Sequence, residues 1–133
     1  NFSLLGGRIL RIQEKIVLAK EAAESKKAFD LVVLDLRGIF PFSDYWIICS
    51  GSSALQTKAV AEEVLKKMEE RQLRPSHLEG MEEGEWILID YGDLMIHIFR
   101  EGERLFYQLE RLWHRAPLLY SEKEGLNLLE EIN

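Results

Sequence analysis

At 133 residues the chain is long enough for one compact domain and too short for two ordinary ones. A composition of 47% hydrophobic and 30% charged residues supports a core without staples, and the single cysteine, Cys49, excludes an intrachain disulfide. The net charge of −6 argues against nucleic-acid binding driven by phosphate contacts, which needs clustered Lys and Arg, and favours a protein partner, especially a basic one.

Residues 7–27 predict an amphipathic helix. Ile9, Ile12, Ile16, Ala19 and Ala23 recur at spacings of three and four, and Lys26 and Lys27 suit the negative end of the helix dipole. Residues 29–37 read as a strand buried on both faces, followed by a loop over 38–43 and a second strand over 44–50. Ser50-Gly51-Ser52-Ser53 turns the chain into a helix reaching about Gln72, and Ser53 with Gln56 fits a capping box. Residues 73–84 form a polar connector. Trp86–Asp90 and Leu94–Phe99 then predict an antiparallel hairpin around Tyr91-Gly92-Asp93, with Gly92 free to take a positive φ. A helix over 103–113 carries Leu105, Leu109, Leu112 and Trp113 on one side, and the tail shows a short helical pattern at Leu126, Leu128, Leu129 and Ile132. The order α-β-β-α-β-β-α implies one α/β domain with a mixed sheet. The helix after the second strand allows a parallel crossover to the third. No apolar run approaches the roughly 20 residues of a membrane span. No secretory signal pattern opens the chain, so the expected location is cytoplasmic, with an organellar origin left open.

Four features could carry function. The Ser50–Ser53 turn at a helix start could hold an anion, as in nucleotidyltransferases. That chemistry also needs paired carboxylates just beyond the turn, and Ala54 to Val60 contains no acid, so a capped helix is the plainer reading. Asp90 and Asp93 flank the hairpin turn. Carboxylates there commonly bond backbone amides, and with no third ligand evident no metal or other cofactor is expected. His97 is the only histidine within a predicted strand, while His77 lies in the connector and His114 follows the last helix, which leaves no metal-ligand spacing. His97 is either a half-buried group bonded to a neighbour or an exposed binding residue. Finally, alternation places Trp86, Leu88 and Asp90 on one face of their strand. Trp86 and Leu88 are core if helices cover both faces of the sheet and a contact patch beside an acid if they cover one. Tyr91 at the turn tip is better placed for contact, because turns are rarely buried.

Three blocks carry a resemblance. Asp35-Leu36-Arg37 with Ser43 to Ser53, then Trp86 to Phe99, then Arg104 to Trp113, in this order and spacing, resemble the Iojap family, the ribosomal silencing factors. The hairpin followed by Phe-Tyr-x-Leu-Glu-x-Leu-Trp is the most specific part. Residues 39–42, Ile-Phe-Pro-Phe, are bulkier than the family pattern, and the tail beyond Pro117 is poorly matched. The resemblance implies a nucleotidyltransferase-like domain over residues 1–117 without catalytic acids, followed by a tail over 118–133. It implies a translation repressor rather than an enzyme, one that binds ribosomal protein fourteen on the large subunit and blocks subunit joining. It also implies a homodimer, with no membrane or sequence-specific nucleic-acid partner. Trp86, Leu88, Asp90 and Tyr91 match the family's partner-facing positions, and Asp93 and His97 match further signature positions. The alternative from another class is a nucleotide-binding, nucleotidyltransferase-like enzyme.

Overall fold

A computed structural model describes residues 9–104, 114 and 116–132. Apart from Glu103 and Arg104, the helix expected over 103–113 lies outside the described residues, as do Gly7 and Arg8 of the first. Within them are helices α1 (Ile12–Ser25) and α2 (Ala54–Glu70) and strands β1 (Phe29–Asp35), β2 (Tyr45–Gly51), β3 (His77–Glu79), β4 (Trp86–Asp90), β5 (Leu94–Arg100), β6 (Leu118–Ser121) and β7 (Leu126–Asn127). One mixed sheet runs in the order β3-β4-β5-β2-β1-β6-β7, with β2 and β5 parallel and every other pair antiparallel.

The hydrophobic patterns explain this order. Every residue of β2 is buried, and β5 is buried at five of its seven positions, so these two strands take the middle of the sheet. β4 alternates half-buried and buried residues, which suits a place beside the edge. The parallel crossover from β2 therefore ends on β5, not on the Trp86 strand that follows α2 more directly. β4 folds back against β5 as a hairpin. β3 escapes a reading by periodicity, because three exposed residues inside a polar connector show no pattern.

Both helices pack on one face. Ile16, Ala19 and Ala23 of α1 and Val60, Val64 and Met68 of α2 enclose Ile47, Cys49, Ile87, Ile89, Ile96 and Ile98 of the sheet. The small alanines let α1 lie close. Helix α1 stops two residues before the sequence suggests. Lys27 takes a φ of 68°, and the amides of Lys26 and Lys27 close on the carbonyls of Ala23 and Glu24, so both lysines fall past the last turn.

The tail departs most from expectation. In place of a short helix, it adds β6 beside β1 and then β7, and is helical only in a single 3-10 turn at Leu129–Glu131. Helices this short are marginal on their own. The open edge of β1 offers a ready ladder instead: Asp35 N–H donates to Pro117 at 2.9 Å and Glu122 N–H to Leu31 at 3.1 Å. Gly125, at a φ of 68°, makes the turn between the two strands.

Candidate functional site

The face of the sheet opposite α1 and α2 carries its own apolar cluster. Leu34, Leu36, Trp46, Ile48 and Phe99 are buried there, and Phe40, Trp86, Met95 and Leu118 pack against them. Register lays the side chains out in rows across the strands. Trp46, Met95, Asp90 and His77 form one; Ile48, His97, Leu88 and Glu79 the next; Ser50, Phe99 and Trp86 the third. Each row runs from a buried centre to an accessible edge. Trp46, His97 and Phe99 are buried, Trp86, Leu88 and Asp90 half-buried, and His77 and Glu79 exposed. Trp86 is therefore neither plain core nor free surface. Its ring stacks on Phe99 at 5.1 Å and its indole N–H donates to His97 Nδ1 at 3.1 Å.

That bond fixes the imidazole. An indole N–H can only donate, so Nδ1 accepts and the proton of the neutral ring sits on Nε2. Nε2 is buried with no hydrogen-bond partner among the described residues, and the Trp46 ring lies 4.4 Å away, centroid to centroid. Burial pulls the imidazole pKa down to about 3, so the ring is neutral near pH 7. His97 thus has the bonded, enclosed character of the plainer sequence reading, with deeper burial than half. Phe40, from the bulky 39–42 segment, meets Trp46 edge-on at 5.4 Å, whereas Phe42 is 74% exposed.

Asp90 and Asp93 each hold the hairpin turn, in different ways. Asp90 Oδ1 accepts the Gly92 N–H at 2.7 Å while Gly92 takes a φ of 88°. Lys15 of α1 donates to Asp93 Oδ2 at 3.1 Å, and the Asp93 carbonyl accepts the amides of Asp44 and Tyr45. One residue thus anchors the turn to a helix and to the start of β2. Tyr91 does not project freely from the turn tip as its position in the sequence suggests. It is half-buried against the helix-side core, its hydroxyl is enclosed with no partner among the described residues, and burial pushes its phenol pKa up. Among the described residues no three His, Cys, Asp or Glu side chains converge as metal ligands.

The Ser50–Ser53 turn is filled by the chain itself. Ser53 Oγ accepts the Gln56 N–H at 3.1 Å, which is half of the expected capping box. The Gln56 side chain completes no box, because its amide reaches the Lys26 carbonyl. Arg104 donates to Ser50 Oγ at 3.1 Å and also reaches the Asp30 carbonyl. A Cβ on Gly51 would sit 2.9 Å from a Thr57 methyl. Cys49 is fully buried in β2, with its thiol pKa pushed up to about 12 by desolvation.

Sequence reasoning missed two supports of the half-exposed face. One is β3, which brings His77 directly across from Asp90. The other is the Gly80–Gly84 connection that sets the height of Trp86. A Cβ on Gly80 would lie 2.0 Å from the Trp86 carbonyl oxygen, and Gly80 holds a φ of 84°. Thr57 pins the far end by donating to the Gly84 carbonyl at 2.6 Å. The two glycines in the connector were the visible signal, but not what they packed against.

The family model described as "Ribosomal silencing factor during starvation" matches residues 10–131, which takes the match through β6 and β7. The ribosomal silencing factor RsfS of Halalkalibacterium halodurans is 41% identical over 114 residues, covering 86% of this chain and 96% of the relative. RsfS of Bacillus subtilis is 40% identical over 101 residues, covering 76% and 86%. A crystal structure of a Chromobacterium violaceum protein superposes with a TM-score of 0.77 at 36% identity, covering 79% of this chain and 88% of that one. The chain therefore belongs to the ribosomal silencing factor family.

Proposed function

We propose that this protein represses translation by binding the large ribosomal subunit, at ribosomal protein fourteen, and occupying the space the small subunit needs. The observation that carries the reading is the half-exposed end of an otherwise buried aromatic face: Trp86 and Leu88 stand beside the carboxylate of Asp90. An apolar patch rimmed by acid suits a partner with an apolar surface and basic neighbours. Trp86 and Leu88 serve as anchors, and Asp90 as the rim charge. Tyr91, whose ring packs on the helix-side core, adds only the part it leaves accessible at the turn. Asp93 and His97 act from beneath, the first by fixing the turn to α1 and β2 and the second by holding the indole. No covalent step is needed, so the protein is a regulator rather than an enzyme. Its relatives' name, ribosomal silencing factor, agrees with this role. A bacterial cytoplasmic location and a homodimer in solution complete the proposal.

Sucrose-gradient sedimentation of ribosomal subunits tests it. Added protein is expected to migrate with the large subunit and to reduce the fraction of joined ribosomes. Folded Trp86→Ala and Leu88→Ala variants are expected to lose most of that binding, since truncating an interface anchor typically costs about 2 kcal/mol or more. Undiminished co-migration of both variants overturns the assignment of this face.

A further inference from the structure

From Pro75 to Phe99 the chain has six acids (Glu79, Glu82, Glu83, Glu85, Asp90 and Asp93) and neither Lys nor Arg. Two histidines are the only side chains there able to become cationic. His97 is enclosed and neutral, whereas the His77 side chain is 67% exposed and sits on the edge strand directly opposite Asp90. Its Nδ1 lies 3.5 Å from Asp90 Oδ2. The other carboxylate oxygen, Oδ1, is engaged by the Gly92 amide at 2.7 Å, so Oδ2 is the one turned toward the edge. The backbone secures the pairing, because the Ser76 amide and hydroxyl both donate to the Asp90 carbonyl, at 2.8 and 3.2 Å.

We propose that His77 is a positioning residue which weakens partner docking when it is protonated. The proposal rests on the reading that the Asp90 face receives a basic protein surface. A neutral imidazole at 3.5 Å makes only a weak claim on Asp90, whose side chain is 15% exposed, so the charge of the carboxylate reaches the partner through Oδ2 at the sheet edge. An imidazolium at that distance pairs with Oδ2 and adds a positive charge to the same face. A basic side chain of the partner then competes for one oxygen and meets a like charge. Both effects have the same sign, so acidification weakens binding. Among the described residues, the polar and charged groups placed near His77 come from β3, β4 and the chain just before β3. Asp90 lies across on β4, Ser76 precedes it with Oγ 3.4 Å from Nδ1, and Glu79 stands two residues along the same face of β3. Arg74, the nearest base along the chain, is bonded to Glu69 at 3.0 Å.

The experiment measures the affinity of the full chain for purified large subunits at fixed salt, at about pH 8 and about pH 6, a range over which a histidine changes charge. The variants are His77→Gln and Trp86→Ala. The wild-type protein is expected to bind about three- to fivefold more weakly at the lower pH, the scale of a single exposed ion pair. His77→Gln is expected to bind with nearly the same affinity at both, close to the alkaline wild-type value. A pH dependence that persists unchanged in His77→Gln overturns the proposal while leaving the docking face intact. So does wild-type binding that is insensitive to pH. Binding that is unaffected by Trp86→Ala, or absent at both pH values, overturns the reading of the face, and the role of His77 with it.

Discussion

Five residues of β4 serve two faces that differ in kind. Ile87 and Ile89 point toward the helices and are fully buried. Trp86 and Leu88 point the other way and are half-buried, although they belong to the same strand and pair with the same neighbour. The helix side is closed by α1 and α2, so its residues answer only to packing. The aromatic side is closed at its centre and open at its edge. Its outer residues are held by stacking and hydrogen bonds yet keep part of their surface accessible. The difference teaches that the proposed contact surface is the unfinished margin of a core, with its geometry set by the finished part.

Several measurements can break or sharpen this contrast. The largest effect is expected at Gly80→Ala. A Cβ 2.0 Å from the Trp86 carbonyl cannot be accommodated without moving the backbone, so denaturant unfolding should show a loss of about 4 kcal/mol or more. Ile89→Ala removes a fully buried side chain from the closed face and is expected to cost about 3 kcal/mol in the same assay. Trp86→Ala is expected to cost less, about 2 kcal/mol, because its ring is only half-buried. If it costs more than Ile89→Ala, the indole is core and the contrast between the faces fails.

His97 gives the aromatic face a pH signature. Its ordinary pKa is 6.5 and burial lowers it to about 3, so below pH 6.5 the unfolded chain takes up a proton that the folded chain refuses. Its contribution is fully present above that pH and is lost as the pH falls toward 3, by at most about 1.4 kcal/mol per pH unit. Urea midpoints measured between pH 7 and pH 4 should fall less steeply in His97→Gln than in the wild type. Leu88→Ala should change stability least, by about 1 kcal/mol. Its large-subunit binding is then the cleanest separation of docking from folding.

Much of this was legible in the chain. The alternation of Trp86 to Asp90, the turn at Gly92 and the Ser53 cap are local, and local sterics and hydrogen bonding decide them. The resemblance blocks point to the proposed face because they include that hairpin. β3 and the tail strands were not legible. His77-Leu78-Glu79 and Leu126-Asn127 have no pattern of their own and become strands only when a neighbour offers unpaired backbone groups. The packing of Tyr91 is not legible for a related reason: its turn is at the end of the hairpin, but the helix-side core extends under the ring.

The sequence by itself determined which segments alternate, which turn and which are capped, and it identified the family. It also placed Trp86, Leu88 and Asp90 on one side of a strand, because side chains in a strand alternate by geometry alone. Only the tertiary structure decided what that side faces. It put both described helices on the opposite face, set the edge strand with His77 against Asp90, and joined the indole to His97. The reason is that burial and cross-strand pairing belong to residues distant in the chain, whose meeting no local pattern encodes.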